Sequence, residues 1–153
     1  MYFQICGIHI AILEMEDLHT LSKGHIYRVK REIMIRILTV DDDPSILKAL
    51  KLGLGSKDME VDVAENGAGA ITLGALKQYD VLIADLCLPD MNGLELIEQV
   101  KRRSPEIVSI VITGNPVDEG LRRAIGHQAD GYLEKPLDMK QVKGAIGRGL
   151  KDR

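Results

Sequence analysis

Four short apolar runs in this chain each end on a side chain with polar chemistry. Residues 35–40 lead to Asp41 and Asp42, residues 81–84 to Asp85, residues 107–112 to Thr113, and Tyr132-Leu133 stand shortly before Lys135. Continuous runs rich in Val, Ile and Leu, separated by helix-length stretches, are what parallel strands buried on both faces of a sheet look like. Parallel strands all point one way, so their carboxyl ends converge on one edge, where open α/β sheets place their ligands. The pattern therefore predicts a crevice that gathers three acids, a hydroxyl and an ammonium.

From Ile35 onward, strand-like and helix-like segments alternate. Strands are expected near 35–40, 59–63, 80–84, 107–112 and 130–133, and helices near 44–54, 67–77, 93–103, 117–127 and 138–150. This five-fold alternation predicts an α/β fold, a doubly wound (βα)5 domain around a five-stranded parallel sheet. Punctuation agrees: Asp43-Pro44 reads as an N-cap followed by proline at the first helical position, and Pro89, Gly93, Pro105, Pro116 and Pro136 fall between elements. Leu94, Ile97 and Val100 recur at helical spacing, as do Val142, Ala145, Ile146 and Leu150, which provides one face for the sheet in each case. Glycines crowd the second helix (Gly67, Gly69, Gly74) and the last (Gly144, Gly147, Gly149). Each interior glycine costs about 1 kcal/mol against alanine, so these two helices are expected to be the least stable.

A chain of 153 residues has room for one domain with a real core. Residues 34–153 suffice for all five βα units, with Met34 directly before the first strand. Residues 1–33 stand outside the alternation and read as an N-terminal extension: an added arm, an extra helix near 10–22, or a mis-assigned start upstream of Met34. With 20 Lys plus Arg against 23 Asp plus Glu, the formal net charge of −3 offers no broad attraction to nucleic acid or an anionic membrane. The most apolar N-terminal stretch, residues 5–13, is interrupted by His9, is too short to span a bilayer and lacks the flanks of a secretion signal. Cys6 and Cys87 match no metal spacing and no disulfide framework, which suits a reducing cytoplasm.

Two adjacent acids after one strand and a third after another suggest a hard-cation site, because Mg²⁺ favours carboxylate oxygens. Asp43, next to Pro44, reads as a helix cap rather than a ligand. Asp85 ends the central apolar strand, and residues 86–93 (LCLPDMNG) look like a loop that folds back over it. A carboxylate so placed can be a nucleophile that accepts a phosphoryl group as an acyl phosphate. It needs a metal to screen the approaching charge and a cation to hold the phosphoryl oxygens. Thr113 and Lys135 can supply contacts to those oxygens.

These residues resemble, in order and spacing, the receiver domain of two-component response regulators, typified by the single-domain chemotaxis receiver. The match runs from about Ile35 to Leu150. It rests on Val40-Asp41-Asp42, the segment from Asp85 to Gly93, Thr113-Gly114, and the segment from Tyr132 to Pro136. The resemblance implies a flavodoxin-like strand order 2-1-3-4-5. It implies Asp85 as phosphoacceptor, and Asp41, Asp42, Asp85 and the Cys87 backbone carbonyl as Mg²⁺ ligands. Lys135 would contact the phosphoryl group, Thr113 would be the switch hydroxyl, and Tyr132 the aromatic that turns inward when that hydroxyl moves. Gly114 fits the small residue the family wants after the hydroxyl, and Lys135-Pro136 is a candidate cis peptide. The resemblance further implies that Cys87 and Asn115 occupy positions that tune dephosphorylation in the family. Cys87 is otherwise read as a loop-packing thiol, and His9, His19, His25 and His127 as surface or packing residues.

The function implied is a cytoplasmic phosphoacceptor that takes a phosphoryl group from a sensor histidine kinase or phosphotransfer protein. Self-catalysed transfer and hydrolysis would be its only chemistry. Its output would be a protein partner docked on the face of the fourth helix, fifth strand and fifth helix, with no direct nucleic-acid or membrane contact, since no DNA-binding segment follows the last helix. The alternative is an aspartate-nucleophile phosphatase of the haloacid-dehalogenase kind. Such an enzyme wants a second acid two residues after the nucleophile, where this chain has Cys87.

Overall fold

The computed structural model describes residues 2–5, 8–11 and 34–152. The chain divides into two compact units, Met1–Ile33 and Met34–Arg153. In the first, β1 (Tyr2–Ile5) and β2 (Ile8–Ala11) pair antiparallel, Tyr2 opposite Ala11 and Ile5 opposite Ile8. The helix expected near 10–22 is corrected at its start, because Ile10 and Ala11 belong to β2; residues 12–22 lie outside the described residues. Two short apolar runs separated by two residues, one of them glycine, favour a hairpin over a helix.

The second unit alternates strand and helix five times: β3 (Ile35–Val40), α1 (Pro44–Leu54), β4 (Met59–Ala64), α2 (Gly67–Leu76), β5 (Val81–Asp85), α3 (Gly93–Arg103), β6 (Val108–Thr113), α4 (Glu119–Gln128), β7 (Gly131–Glu134) and α5 (Met139–Lys151). All neighbouring pairs in its sheet are parallel, in the order β4-β3-β5-β6-β7. Counted within the unit this is 2-1-3-4-5, the flavodoxin-like order. Three elements, β3, α1 and α3, keep their expected ends, and the others differ by one or two residues. Strands β5 and β6 run on to include Asp85 and Thr113, and α4 starts at Glu119 because Asp118 caps it.

The central strands are buried throughout, with Ile37, Leu82, Ile83, Ile110 and Ile112 among the least accessible side chains. Burial on both faces explains why these strands read as unbroken apolar runs rather than alternating ones. Register then does the positioning. Val40 pairs with Ala84, so the next residues, Asp41 and Asp85, emerge side by side. Asp85 pairs with Ile112 and Thr113 with Glu134, so Thr113 and Lys135 follow at the same edge. Each of this unit's five helices begins at a capping Asp or Asn: Asp43, Asn66, Asn92, Asp118 and Asp138 accept backbone N–H groups of the first turn. A cap of this kind contributes about 1 kcal/mol. Among the described residues, no helix is long and apolar enough to cross a membrane.

Candidate functional site

Asp41 leaves β3 with 0% of its surface exposed and Asp85 closes β5 with 6%. Oδ1 of Asp41 accepts the backbone N–H of Asp43 at 2.9 Å. Its Oδ2 lies 2.9 Å from Lys135 Nζ, close enough for an ion pair but without an aligned hydrogen bond. The same ammonium donates to Asp85 Oδ2 at 3.1 Å. Lys135 is placed by its own backbone N–H, which donates to Thr113 O at 2.8 Å, and by the cis peptide to Pro136.

A carboxylate oxygen from each of Asp41, Asp42 and Asp85 falls within 4.8 Å of the others. Three acids around one ammonium leave an excess of negative charge, and like charges about 4 Å apart repel by about 4 kcal/mol at an effective dielectric of 20. Burial accordingly pushes the Asp41 carboxyl above its ordinary range, against the pull of Lys135 and the Asp43 N–H. Burial works to lower the Lys135 ammonium, but its two carboxylate partners outweigh it and hold the group above its usual value. An all-oxygen donor set, with an under-satisfied buried oxygen on Asp41, fits a hard divalent cation.

The loop after Asp85 is tied down at several points. Leu86 donates its N–H to Ile112 O and Gly93 donates to Leu86 O, both at 2.8 Å. A Cβ at Gly93 would run into the carbonyl of Asp85, so only glycine lets α3 start this close to the buried acid. Asp90 reaches out of the loop to accept N–H groups of Gly67 at 2.9 Å and Ala68 at 2.8 Å, which holds its carboxyl below the ordinary range. It therefore joins the Asp85 loop to the first turn of α2. This tie was not foreseen, since its partners lie 22 and 23 residues earlier in the chain and no local spacing marks them.

Thr113 is buried, and its hydroxyl is occupied within its own loop. It accepts Asn115 N–H at 3.0 Å and donates to Asn115 O at 3.2 Å. The Asn115 side-chain amide lies 3.8 Å from the exposed Cys87 sulfur. Cys87 itself bridges to Asn92 across the loop. Tyr132 is partly buried against the cluster that contains Leu88, Val111 and Ile125. The fold thus unites Asp41, Asp42, Asp85 and Lys135, and sets Cys87 and Asn115 beside each other. Tyr132 packs apart in the apolar layer. His127 is exposed; Cys6, His19 and His25 lie outside the described residues.

The model of the response regulator receiver domain matches residues 37–147. The cell cycle response regulator CtrA of Brucella ovis is 32% identical over 108 residues, covering 71% of this chain and 47% of that protein. The chain thus spans about half the length of the curated relatives it matches. Among solved structures, the CheY-like receiver domain protein of Methanospirillum hungatei has a TM-score of 0.68 at 28% identity, covering 78% of this chain and 99% of that one. A structure described as adenylate cyclase from Rhodopirellula baltica has a TM-score of 0.71 at 36% identity, covering 78% and 89%. The phosphatase alternative gains no support from these matches.

Proposed function

The chain belongs to the response regulator receiver domain family of two-component signalling, and on that premise we propose that it accepts a phosphoryl group on Asp85. The donor is a phosphohistidine of a sensor kinase or phosphotransfer protein. A carboxylate oxygen of Asp85 attacks phosphorus in line, the P–N bond breaks with its electron pair left on the ring nitrogen, an acyl phosphate forms, and the imidazole departs neutral, keeping the proton carried on its other nitrogen. Asp41, Asp42, Asp85 and the Cys87 carbonyl would hold Mg²⁺, which screens the negative charge that donor and acceptor share. Family members are signalling domains rather than enzymes, and the chemistry proposed here is confined to self-catalysed transfer and hydrolysis.

Lys135 carries the reading, because its ammonium already bridges the two buried carboxylates. Arrival of a phosphoryl group gives that cation a stronger acceptor. Thr113 would give up its bonds to Asn115 to reach a phosphoryl oxygen, and Tyr132 would move into the space released. Cys87 and Asn115 flank the approach to Asp85 and set the rate at which water removes the group. The signal leaves through α4, β7 and α5 to a protein partner, in the cytoplasm and without direct nucleic-acid contact. The test is incubation with Mg²⁺ and a small acyl or amido phosphate, followed by location of the modification by mass. Modification at Asp85 supports the assignment; stable labelling of Asp85→Asn at another residue overturns it.

A further inference from the structure

Helix α2 has no charged residue in its ten positions, GAGAITLGAL, although it lies on the surface. A surface helix ordinarily carries charge on its outer face, and one apolar all round is ordinarily covered. Here Ala68, Thr72, Ala75 and Leu76 are exposed, Leu76 with 81% of its surface in water. These four recur at helical spacing and form one outward stripe. Beside it, Ile71, Gly74, Val100 and Arg103 line a crevice of about 70 Å³ between α2 and α3. Apart from its chain neighbours and its own helix backbone, no atom of the described residues lies within 4 Å of where a Cβ on Gly74 would stand, so this side is open.

We propose that this face is covered by the same face of a second copy, with the two α2 helices antiparallel about a two-fold axis. The two ends of the helix differ in ways that suit such a pairing. Glu65 is exposed at the amino-terminal end, Arg103 is exposed beside the carboxyl-terminal end, and neither makes an ion pair among the described residues. Antiparallel packing brings each Glu65 toward the other copy's Arg103. Size is complementary in the same sense, since Leu76 at one end faces Ala68 and Gly69 at the other. An isologous contact satisfies both matches twice. No charge has to be desolvated along the middle of the helix. A ten-residue helix is about 15 Å long. Such a contact sits at the low end of specific interfaces, near 1,000 Å² in order of magnitude, so the dimer is weak and reversible.

The experiment is sedimentation velocity of the full chain over a wide concentration range. The average mass should rise with concentration from monomer toward dimer. Leu76→Glu, at a side chain with 81% of its surface exposed, should weaken association about tenfold or more. Glu65→Arg and Arg103→Glu should each weaken it about fivefold, because the axis makes each reversal act twice, and the double reversal should restore it. A chain that stays monomeric throughout overturns the proposal. So does association indifferent to Leu76→Glu, or a double reversal no better than the single ones. Binding to lipid vesicles that is lost in Leu76→Glu while the chain stays monomeric assigns the face to a membrane surface and also overturns it.

Discussion

Two carboxylates in this fold meet a lysine with opposite results. Asp62, on β4, accepts Lys77 Nζ at 2.7 Å and Tyr79 Oη at 2.8 Å. Lys77 is shared with Glu60 at 2.8 Å, and Glu60 in turn faces Arg36 at 3.6 Å. The Lys77 ammonium also lies 5.6 Å from the Tyr79 ring centre, within cation–π range. Two acids here answer two bases, and Lys77 leads the influences that hold the Asp62 carboxyl below its ordinary range. The Tyr79 hydroxyl, by burial and by bonding to Asp62, is pushed up to about 12, so it stays a donor. Asp41 has the same kind of partner in Lys135, yet burial pushes its carboxyl up and one oxygen lacks an aligned hydrogen bond. The first cluster is closed and contributes stability. The second is left short of positive charge, which is what a site needs if it is to take a cation and then a phosphoryl group.

That contrast breaks most sharply in chemistry. Asp85→Asn should reduce phosphoryl uptake from a small acyl phosphate below detection, because the amide keeps the shape and loses the nucleophile. Asp62→Asn should leave uptake near that of the parent chain. Quantified intact mass decides it, and uptake that fails equally in both variants would mean that the two clusters are not separate devices.

Metal response comes next in size. Mg²⁺ at ten times its dissociation constant should stabilise the fold by about 1.4 kcal/mol, on the order of 5 °C in melting temperature for a domain of this size. Asp41→Ala combined with Asp42→Ala should remove that response, and Asp62→Asn should keep it. A titration unchanged in the double variant would exclude the three-acid set as the cation site.

How far each cluster was legible follows from the range of its contacts. The strands were readable because burial on both faces writes itself as unbroken runs such as residues 81–84 and 107–112. Once strands are parallel, Asp41, Asp85, Thr113 and Lys135 must share an edge, and their order along the chain carries the resemblance. Asp62, Lys77 and Tyr79 gave no such signal. They are joined by side-chain reach across 15 and 17 residues, and an acid in an edge strand reads as a solvated residue. Asp90 was hidden for the same reason. The Thr113 hydroxyl was foreseen in place but not in partner, since its bonds to Asn115 depend on the path of a loop that no periodicity describes.

Stability in the absence of metal sharpens the comparison further. Asp62→Asn should cost about 1 kcal/mol, because Lys77 and Tyr79 lose a charged acceptor that is partly solvated already. Tyr79→Phe should cost about as much, through the lost hydrogen bond alone. Asp41→Asn should cost less than either, since it removes a carboxylate that burial already disfavours. Chemical denaturation in the presence of a chelator measures all three, and an Asp41→Asn variant weaker than Asp62→Asn would reverse the assignment of which cluster is structural.

The smallest effect is in pH, and it has opposite signs at the two acids. The Asp62 carboxyl is held below its ordinary value of 3.8, so its contribution is fully present above that value and is lost as pH falls through the lower, folded-state value. The Asp41 carboxyl is held above 3.8, so the folded chain prefers its protonated form. That contribution is fully present below 3.8 and is lost as pH rises through the raised value. One proton in either case limits the slope to about 1.4 kcal/mol per pH unit. With metal chelated, Asp62→Asn should flatten the stability profile on the acid side of 3.8, and Asp41→Asn should flatten it on the alkaline side. Denaturant midpoints collected across the acid range measure both slopes. If the two substitutions flattened the same limb, burial would not be what separates these acids, and the excess negative charge at the β3 and β5 edge would need another origin.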